Sequence, residues 1–240
     1  MTHNHFLDAN IIIGSTLYWD RHYERAARYL HLENIRRHTS GRVYDECRGV
    51  YGRFRRTIIS YLTYLFRNLP SSPNPFTLDS TINAITERYL RTIGSSGQKN
   101  LIRSFARSNM EDIRQCMLRS EEERIQYRQK IIDTIKEALY TLEFICSEDT
   151  DALILSYSCC PDEYTDLLAA EKSALLERIT YEPDINVLLD SFNIMTHRIQ
   201  SQIHFITTDK NHILQNASAI EEILPGILIR DPASFLPDPT

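Results

Sequence analysis

The chain has 240 residues, of which 42% are hydrophobic and 25% charged, and its formal net charge is −5. These values are ordinary for a globular protein and exclude collagen-like, low-complexity and broadly disordered classes. The longest apolar runs are far shorter than the roughly 20 residues that a membrane-spanning helix needs. The N-terminus carries no secretory signal pattern, and the five cysteines lack Cys-x-x-Cys spacing. We therefore expect a cytoplasmic protein with reduced thiols and no membrane partner.

The charge is distributed unevenly along the chain. Residues 21–107 contain 16 Lys+Arg and 6 Asp+Glu, whereas residues 108–240 contain 11 Lys+Arg and 24 Asp+Glu. Arginine suits phosphate geometry, and aromatic residues lie between the arginines of this segment, as on many nucleic-acid-binding surfaces. The arginines expected to bind phosphates are Arg36, Arg37, Arg42, Arg53, Arg55 and Arg56. A solvated helix face with acidic partners elsewhere is the alternative, because charge alone identifies no chemistry.

The first two thirds of the chain are predicted to be mostly helical. Residues 5–14 form an apolar run closed by glycine, which predicts a buried strand and its exit loop. Residues 20–33 have the spacing of an amphipathic helix, residues 39–43 are a second strand candidate, and residues 44–69 form a long helical pattern. Three further helices are predicted over residues 78–93, 98–119 and 121–144, the last beginning with a capping signal at residues 120–123.

The periodicity changes after residue 151. Strands are predicted over residues 152–157, 204–208 and 227–229, with helices opened by Pro161 and Pro183 between them. Strands that alternate with helices predict an α/β fold with a mainly parallel central sheet. Residues 70–145 carry no strand signal, so we interpret them as a long helical insertion in a single domain of residues 1–240, and residues 232–240 as a proline-rich tail.

Two acids come at the ends of predicted strands. In parallel sheets the functional crevice lies beyond the carboxyl ends of the strands, which is where Asp8 and Asp209 are expected. A carboxylate at Asp8, among Phe6, Leu7 and three isoleucines, is costly to bury unless a cation compensates for it. Several carboxylates together favour Mg²⁺ or Mn²⁺. A turn or N-cap role is the alternative for each acid taken singly.

Four segments, in order, resemble the PIN domain family of metal-dependent nucleases. They are residues 6–14 (FLDANIIIG), 42–46 (RVYDE), 184–191 (DINVLLDS) and 205–210 (FITTDK). The resemblance covers residues 5–50 and 150–235, and it implies a three-layer PIN-like fold. The family includes toxins of prokaryotic toxin/antitoxin pairs, so an antitoxin partner and a homodimer are further implications.

The resemblance implies that Asp8, Glu46, Asp184 and Asp209 bind Mg²⁺ or Mn²⁺ and act in catalysis. Asn10 and Thr207 then resemble the polar residues that support these acids. Asp151 is the alternate third acid, because residues 151–158 fit the local pattern about as well as residues 184–191. Asp184 is favoured by its position 25 residues before Asp209, against 58 residues for Asp151.

Three functions are compatible with these residues. The first is an endoribonuclease that hydrolyses RNA phosphodiester bonds, with metal held by the four acids and RNA gripped by the arginines. The second is a catalytically inactive PIN-like module that binds RNA or a protein partner, and the third is a DNA 5′-nuclease, for which the matched segments show no supporting motif. Separation of Asp8 and Asp209 by more than about 10 Å would exclude a shared metal site.

Overall fold

A parallel β-sheet is the centre of the fold. The computed structural model describes residues 3–70, 73–145, 154–155 and 168–237. The strands in these ranges are β1 (His3–Leu7), β2 (Ile35–His38), β3 (Ile154–Leu155), β4 (Ile203–Ile206) and β5 (Ile227–Arg230). Their order is β3-β2-β1-β4-β5, and every pairing is parallel. The predicted α/β class with a parallel central sheet is confirmed, and the arrangement is consistent with three layers.

Helices make up most of the remaining described chain. They are α1 (Ala9–Thr16), α2 (Tyr23–Leu30), α3 (Gly41–Arg67), α4 (Leu78–Thr92), α5 (Ser96–Ser108), α6 (Met110–Met117), α7 (Glu121–Ile145), α8 (Ala169–Leu176), α9 (Glu182–Ile194) and α10 (Ala217–Ile223). A π-helical turn, Met195–Ile199, extends α9, and short 3₁₀ turns cover Leu214–Asn216 and Pro232–Phe235. Among the described helices, none has the length and apolarity needed to cross a membrane.

The chain divides into two compact units. We call Met1–Tyr18, His22–Arg48 and Tyr140–Thr240 the sheet unit, and Trp19–Arg21 with Gly49–Leu139 the helical unit. The boundary falls inside α3, so the helical unit begins earlier than the insertion predicted at residue 70. Residues 70–139 of the predicted insertion belong to the helical unit, and its last residues, 140–145, belong to the sheet unit.

The helical unit has its own buried core. Trp19 packs edge-to-face on Phe105 with ring centroids 5.4 Å apart, and the Tyr61 hydroxyl lies 2.8 Å from Thr86 Oγ1. The capping signal before α7 is realised, since Ser120 N donates to Glu123 Oε2 and Glu123 N donates to Ser120 Oγ. The single helix predicted over residues 98–119 is wrong, because the buried Asn109 separates α5 from α6.

β1 occupies the middle of the sheet, with β2 and β4 on either side. Phe6 and Leu7 are fully buried, and the Phe6 ring stacks on Phe205 of β4 at 5.5 Å. The parallel register places Phe6 opposite Phe205 and Leu7 opposite Ile206. Both strands therefore end at the same edge of the sheet, immediately before Asp8 and Thr207.

The structure corrects two strand predictions. Residues Ile11–Ile13, expected to continue a strand, lie in α1, where all three are buried. A short apolar run does not distinguish a buried strand from a buried helix by periodicity, and the N-cap at Asp8 decides for the helix. The second strand is Ile35–His38 rather than residues 39–43. The prediction missed it because its charged sequence hides the strand pattern.

The segment after α7 is described only in part. Asp151, the alternate third acid, and Pro161, the predicted helix opener, lie outside the described residues. The predicted strand over residues 152–157 is represented by β3, and the helix predicted up to residue 179 by α8.

Candidate metal centre

Asp8 is the buried acid at the carboxyl end of β1. It is the N-cap of α1, and its Oδ1 accepts the Ala9 N–H at 2.7 Å. Its Oδ2 accepts from Asn10 Nδ2 at 2.6 Å and from Thr207 Oγ1 at 2.7 Å. The side chain is thereby fixed in one orientation, with only 9% of the residue exposed.

Thr207 joins the ends of β1 and β4. Its hydroxyl donates to Asp8 and accepts the backbone N–H of Asp209 at 3.0 Å. Asn10 strengthens the link, since its Oδ1 accepts the Thr208 N–H at 3.0 Å. One hydroxyl therefore connects the Asp8 carboxylate to the backbone of Asp209. The two residues are close enough for the shared metal site that the sequence predicts.

Asp209 follows β4 and is held by its own turn. Its Oδ1 accepts the N–H groups of Asn211 at 2.9 Å and His212 at 3.0 Å, the pattern by which an aspartate stabilises a turn. Its Oδ2 lies 3.5 Å from His212 Nδ1. Because Oδ1 accepts the N–H groups of the turn, Oδ2 is the oxygen that faces His212.

Asp184 enters the same cluster from α9. It lies in the first turn of a helix that contains Pro183, a residue suited to that position. Asp184 Oδ2 is 3.3 Å from His212 Nδ1. Ligand atoms of Asp184, Asp209 and His212 all lie within 4.8 Å of one another, so the three side chains can hold one metal ion.

The electrostatics of the cluster are unfavourable without a cation. Burial, with smaller contributions from the charges of Glu46 and Asp209, raises the pKa of Asp8 to about 7. Burial and the charges of Asp8 and Asp209 raise the pKa of Asp184 to about 6, although His212 opposes this shift. Mutual repulsion of nearby carboxylates is the environment that a divalent ion relieves.

Glu46 is the most exposed of the four predicted acids. It lies in α3, and its charge acts on the carboxyl group of Asp8. Contacts therefore bring together Asp8 after β1, Asp209 after β4 and Asp184 of α9, whereas Glu46 of α3 is linked to them only through its charge on Asp8. Carboxylate oxygens with one imidazole nitrogen fit Mg²⁺ or, better, Mn²⁺.

The predicted phosphate-binding arginines fall into different environments. Arg36, Arg53, Arg55 and Arg56 are exposed. Nη1 of Arg53 lies 3.4 Å from the point that a Cβ at Gly49 would occupy, so this guanidinium folds back along α3 over the glycine.

Arg37 is a correction, because it is only 4% exposed and its guanidinium bonds backbone carbonyls. Nη2 donates to Leu30 O at 2.9 Å and to Leu32 O at 2.7 Å. A phosphate has no access to such a group without displacing these bonds, and the side chain serves the fold.

Arg42 pairs with the buried acid Asp190. Asp190 is fully buried in α9, and its Oδ1 lies 3.4 Å from Arg42 Nε. Burial of a carboxylate requires such a partner. Arg42 remains about one third exposed, so its charge is shared between this pair and the solvent.

His212 belongs to the cluster but is not among the site residues predicted from the sequence. The available signal was its position three residues after Asp209, the spacing that returns a side chain to the same side of a turn. Its contact with Asp184, 28 residues earlier, has no local signal and depends on how α9 packs.

These features define a class, namely a parallel α/β protein with a carboxylate and histidine cluster at the carboxyl edge of its sheet. No protein-family model, curated protein or solved structure matches the chain. Membership of the PIN family therefore stays a prediction that rests on the residues themselves.

Proposed function

We propose that this protein is a Mg²⁺- or Mn²⁺-dependent endoribonuclease. The observation that carries the proposal is the gathering of Asp8, Asp184 and Asp209 around the Thr207 and His212 side chains. The three acids are separated by up to 201 positions in the sequence, from Asp8 to Asp209. Structural acids seldom accumulate in this way, because each added carboxylate raises the cost of ionising the others.

The acids and His212 would hold the metal. A bound divalent ion polarises the scissile phosphate and lowers the pKa of the attacking water. Asn10 and Thr207 keep the Asp8 carboxylate oriented, and the Asp209 turn keeps Oδ2 directed to Asp184 and His212. This preorganisation is the contribution that outer partners make to metal sites.

Exposed arginines would supply affinity for the RNA backbone. Arg36 in the sheet unit and Arg53, Arg55 and Arg56 in the helical unit are the candidates, since Arg37 is buried. Phosphate contacts fix the position of a nucleic acid without reading its sequence. A toxin role, an antitoxin partner and a homodimer remain predictions from the family resemblance alone.

The test is cleavage of single-stranded RNA by the Asp8→Asn variant with Mn²⁺ present. We expect activity to fall on the order of 100-fold or more, because losing even an outer partner of a metal ligand costs roughly 10- to 100-fold. Asp45→Asn is the matched control, since Asp45 is an exposed neighbour of Glu46 that points roughly 100° away around α3. Full activity of Asp8→Asn, with circular dichroism unchanged, would remove the proposed site.

Calorimetric titration of Mn²⁺ distinguishes the nuclease from an inactive module. A nuclease binds Mn²⁺ in the wild type, loses this binding in Asp209→Asn, and cleaves RNA. A protein that binds RNA but neither takes up Mn²⁺ nor cleaves is the inactive PIN-like module.

A further inference from the structure

Three histidines cluster on one face of the sheet, away from the acids. His3 and His5 are two positions apart in β1 and therefore point to the same face of the sheet. The register places His5 opposite His204 of β4. The ring centroids of His5 and His204 are 4.9 Å apart, and that of His3 lies 6.4 Å from His5 and 6.1 Å from His204. We call these residues the histidine cluster.

His5 has one nitrogen in a hydrogen bond and the other without a partner. Its ring is fully buried, and Nδ1 lies 2.6 Å from the Tyr29 hydroxyl. Among the described residues, no hydrogen-bond partner is found for His5 Nε2 or for His204 Nδ1, although both atoms are buried. A metal-binding histidine ordinarily bonds an oxygen through one nitrogen and leaves the other for the ion. Buried nitrogens without partners are costly, and this cost is relieved by a ligand.

We propose that His3, His5 and His204 bind a transition-metal ion of the Zn²⁺ class at a site separate from the acid cluster. Imidazole nitrogen favours Zn²⁺, Cu²⁺ or Ni²⁺, whereas Mg²⁺ takes oxygen ligands. With Zn–N bonds near 2.1 Å, two imidazoles on a tetrahedral ion have ring centres about 5 Å apart. The His5 and His204 rings already have this spacing.

His3 completes the site by a side-chain rotation. Its ring separations of 6.4 and 6.1 Å require an inward movement on metal binding, and the residue is exposed. Three histidines leave the fourth tetrahedral position for water. The Phe235 ring, 4.6 Å from His5 and 5.4 Å from His204, shields the two inner ligands.

The two inner imidazoles are uncharged. Burial and the neighbouring histidines lower the pKa of His5 to about 3, and burial also lowers the pKa of His204. Both rings are therefore neutral at physiological pH, which is the charge state in which histidine binds a metal ion.

The position in the strands separates this site from the acids. His3 and His5 lie within β1, whereas Asp8 follows its end, and His204 lies in β4, five positions before Asp209. Successive residues of a strand point to opposite faces of the sheet, so Asp8, at an even-numbered position, follows the face opposite to that of His3 and His5. Each site can therefore be removed without touching the ligands of the other.

The test uses the full chain with both Asp8→Asn and Asp209→Asn, which removes two of the four acids proposed to hold Mg²⁺ or Mn²⁺. Zn²⁺ is titrated by calorimetry into this background and into the same background with His3→Ala or His204→Gln. We expect one Zn²⁺ per chain, and an affinity loss on the order of tenfold or more for either added substitution. The matched control is His197→Ala, an exposed histidine outside the cluster.

Each outcome decides the proposal. Equal affinity after His3→Ala overturns it, and because His3 is exposed this variant is expected to fold. An affinity loss for His197→Ala as large as that for His204→Gln also overturns it, since this result indicates binding to surface histidines only. The proposal survives a failure of the nuclease hypothesis, because none of the three histidines belongs to the acid cluster and the readout is Zn²⁺ affinity rather than RNA cleavage.

Discussion

At the scale of single residues, the burial of Asp8 opposes the ionisation of its carboxyl group. It accepts hydrogen bonds from Ala9, Asn10 and Thr207, yet burial raises its pKa to about 7 from an ordinary 3.8. The hydrogen bonds therefore do not fully offset the desolvation of the charge. A site that is destabilised in the absence of its ligand is common where function requires burial of a charged group.

The pH dependence of stability tests this effect of burial. Because the folded-state pKa of Asp8 lies above the unfolded one, folding binds a proton, and the associated stability is complete below pH 3.8 and is lost as the pH rises through about 7. Between pH 5 and pH 8, metal-free wild type should lose about 1 to 3 kcal/mol relative to Asp8→Asn, since one pKa unit is about 1.4 kcal/mol. Urea unfolding at the two pH values measures this difference.

Mn²⁺ is the control for the same experiment. It should restore the stability of the wild type at pH 8 and leave Asp8→Asn unchanged, because a ligand stabilises only the state that binds it. A stability difference between the two proteins that is the same at pH 5 and pH 8 would contradict the assignment.

At the scale of elements, two consecutive arginines of β2 have opposite roles. Arg37 is buried and bonds the carbonyls of Leu30 and Leu32, just at and after the end of α2, where helical carbonyls need partners. Arg36 points to the other side of the strand and is exposed. The alternation of a strand therefore separates an arginine that stabilises the fold from one that is available to a partner.

Substitution of each arginine by alanine separates these roles. Arg37→Ala should lower the free energy of unfolding by about 2 to 3 kcal/mol, because bonds to a charged donor are lost and carbonyls are left without partners. Arg36→Ala should change it by no more than about 0.5 kcal/mol, as at other exposed positions. Chemical denaturation measures both values. Equal losses of unfolding free energy in the two variants would contradict a stabilising role that belongs to Arg37 and not to Arg36.

At the scale of the whole molecule, the positive charge is concentrated in one unit. The residues of the helical unit include 16 Lys+Arg and 10 Asp+Glu, whereas those of the sheet unit include 11 and 22. The net charge of the chain is therefore the difference between a basic unit and an acidic one. The helical unit is the part whose charge favours a nucleic acid.

The salt dependence of RNA affinity tests the contribution of α3. Replacing Arg53, Arg55 and Arg56 together by glutamine should lower the slope of log affinity against log salt by about 2, because each lost phosphate contact accounts for about 0.7 on single strands. Fluorescence anisotropy over a range of salt concentrations measures the slope.

A second triple variant controls for net charge. It replaces Arg103, Arg114 and Arg119 by glutamine, which removes the same charge from arginines that pair with Glu87, Asp79 and Glu123. Its slope should stay close to that of the wild type. Equal slopes for the two triple variants would indicate that total charge, rather than the α3 arginines, determines RNA affinity.

Local signals in the sequence were sufficient for the α/β class and for several helix starts. Alternation of strand and helix patterns predicted the parallel sheet, and Pro183 and the Ser120 capping signal predicted the starts of α9 and α7. Asp8 and Asp209 were recognised because the ends of parallel strands meet at one edge. The helix starts depend on residues within a few positions of one another, and the sheet and its edge follow from a general rule of parallel strands.

Only the tertiary structure decided what depends on distant parts of the chain. All three isoleucines of Ile11–Ile13 are buried although they follow one another in a helix, and Arg37 is buried with its guanidinium on the carbonyls of Leu30 and Leu32. Asp190 meets Arg42 across 148 positions, and His212 meets Asp184 across 28. Periodicity and composition carry no information about such contacts, because the packing that creates them exists only after the chain has folded.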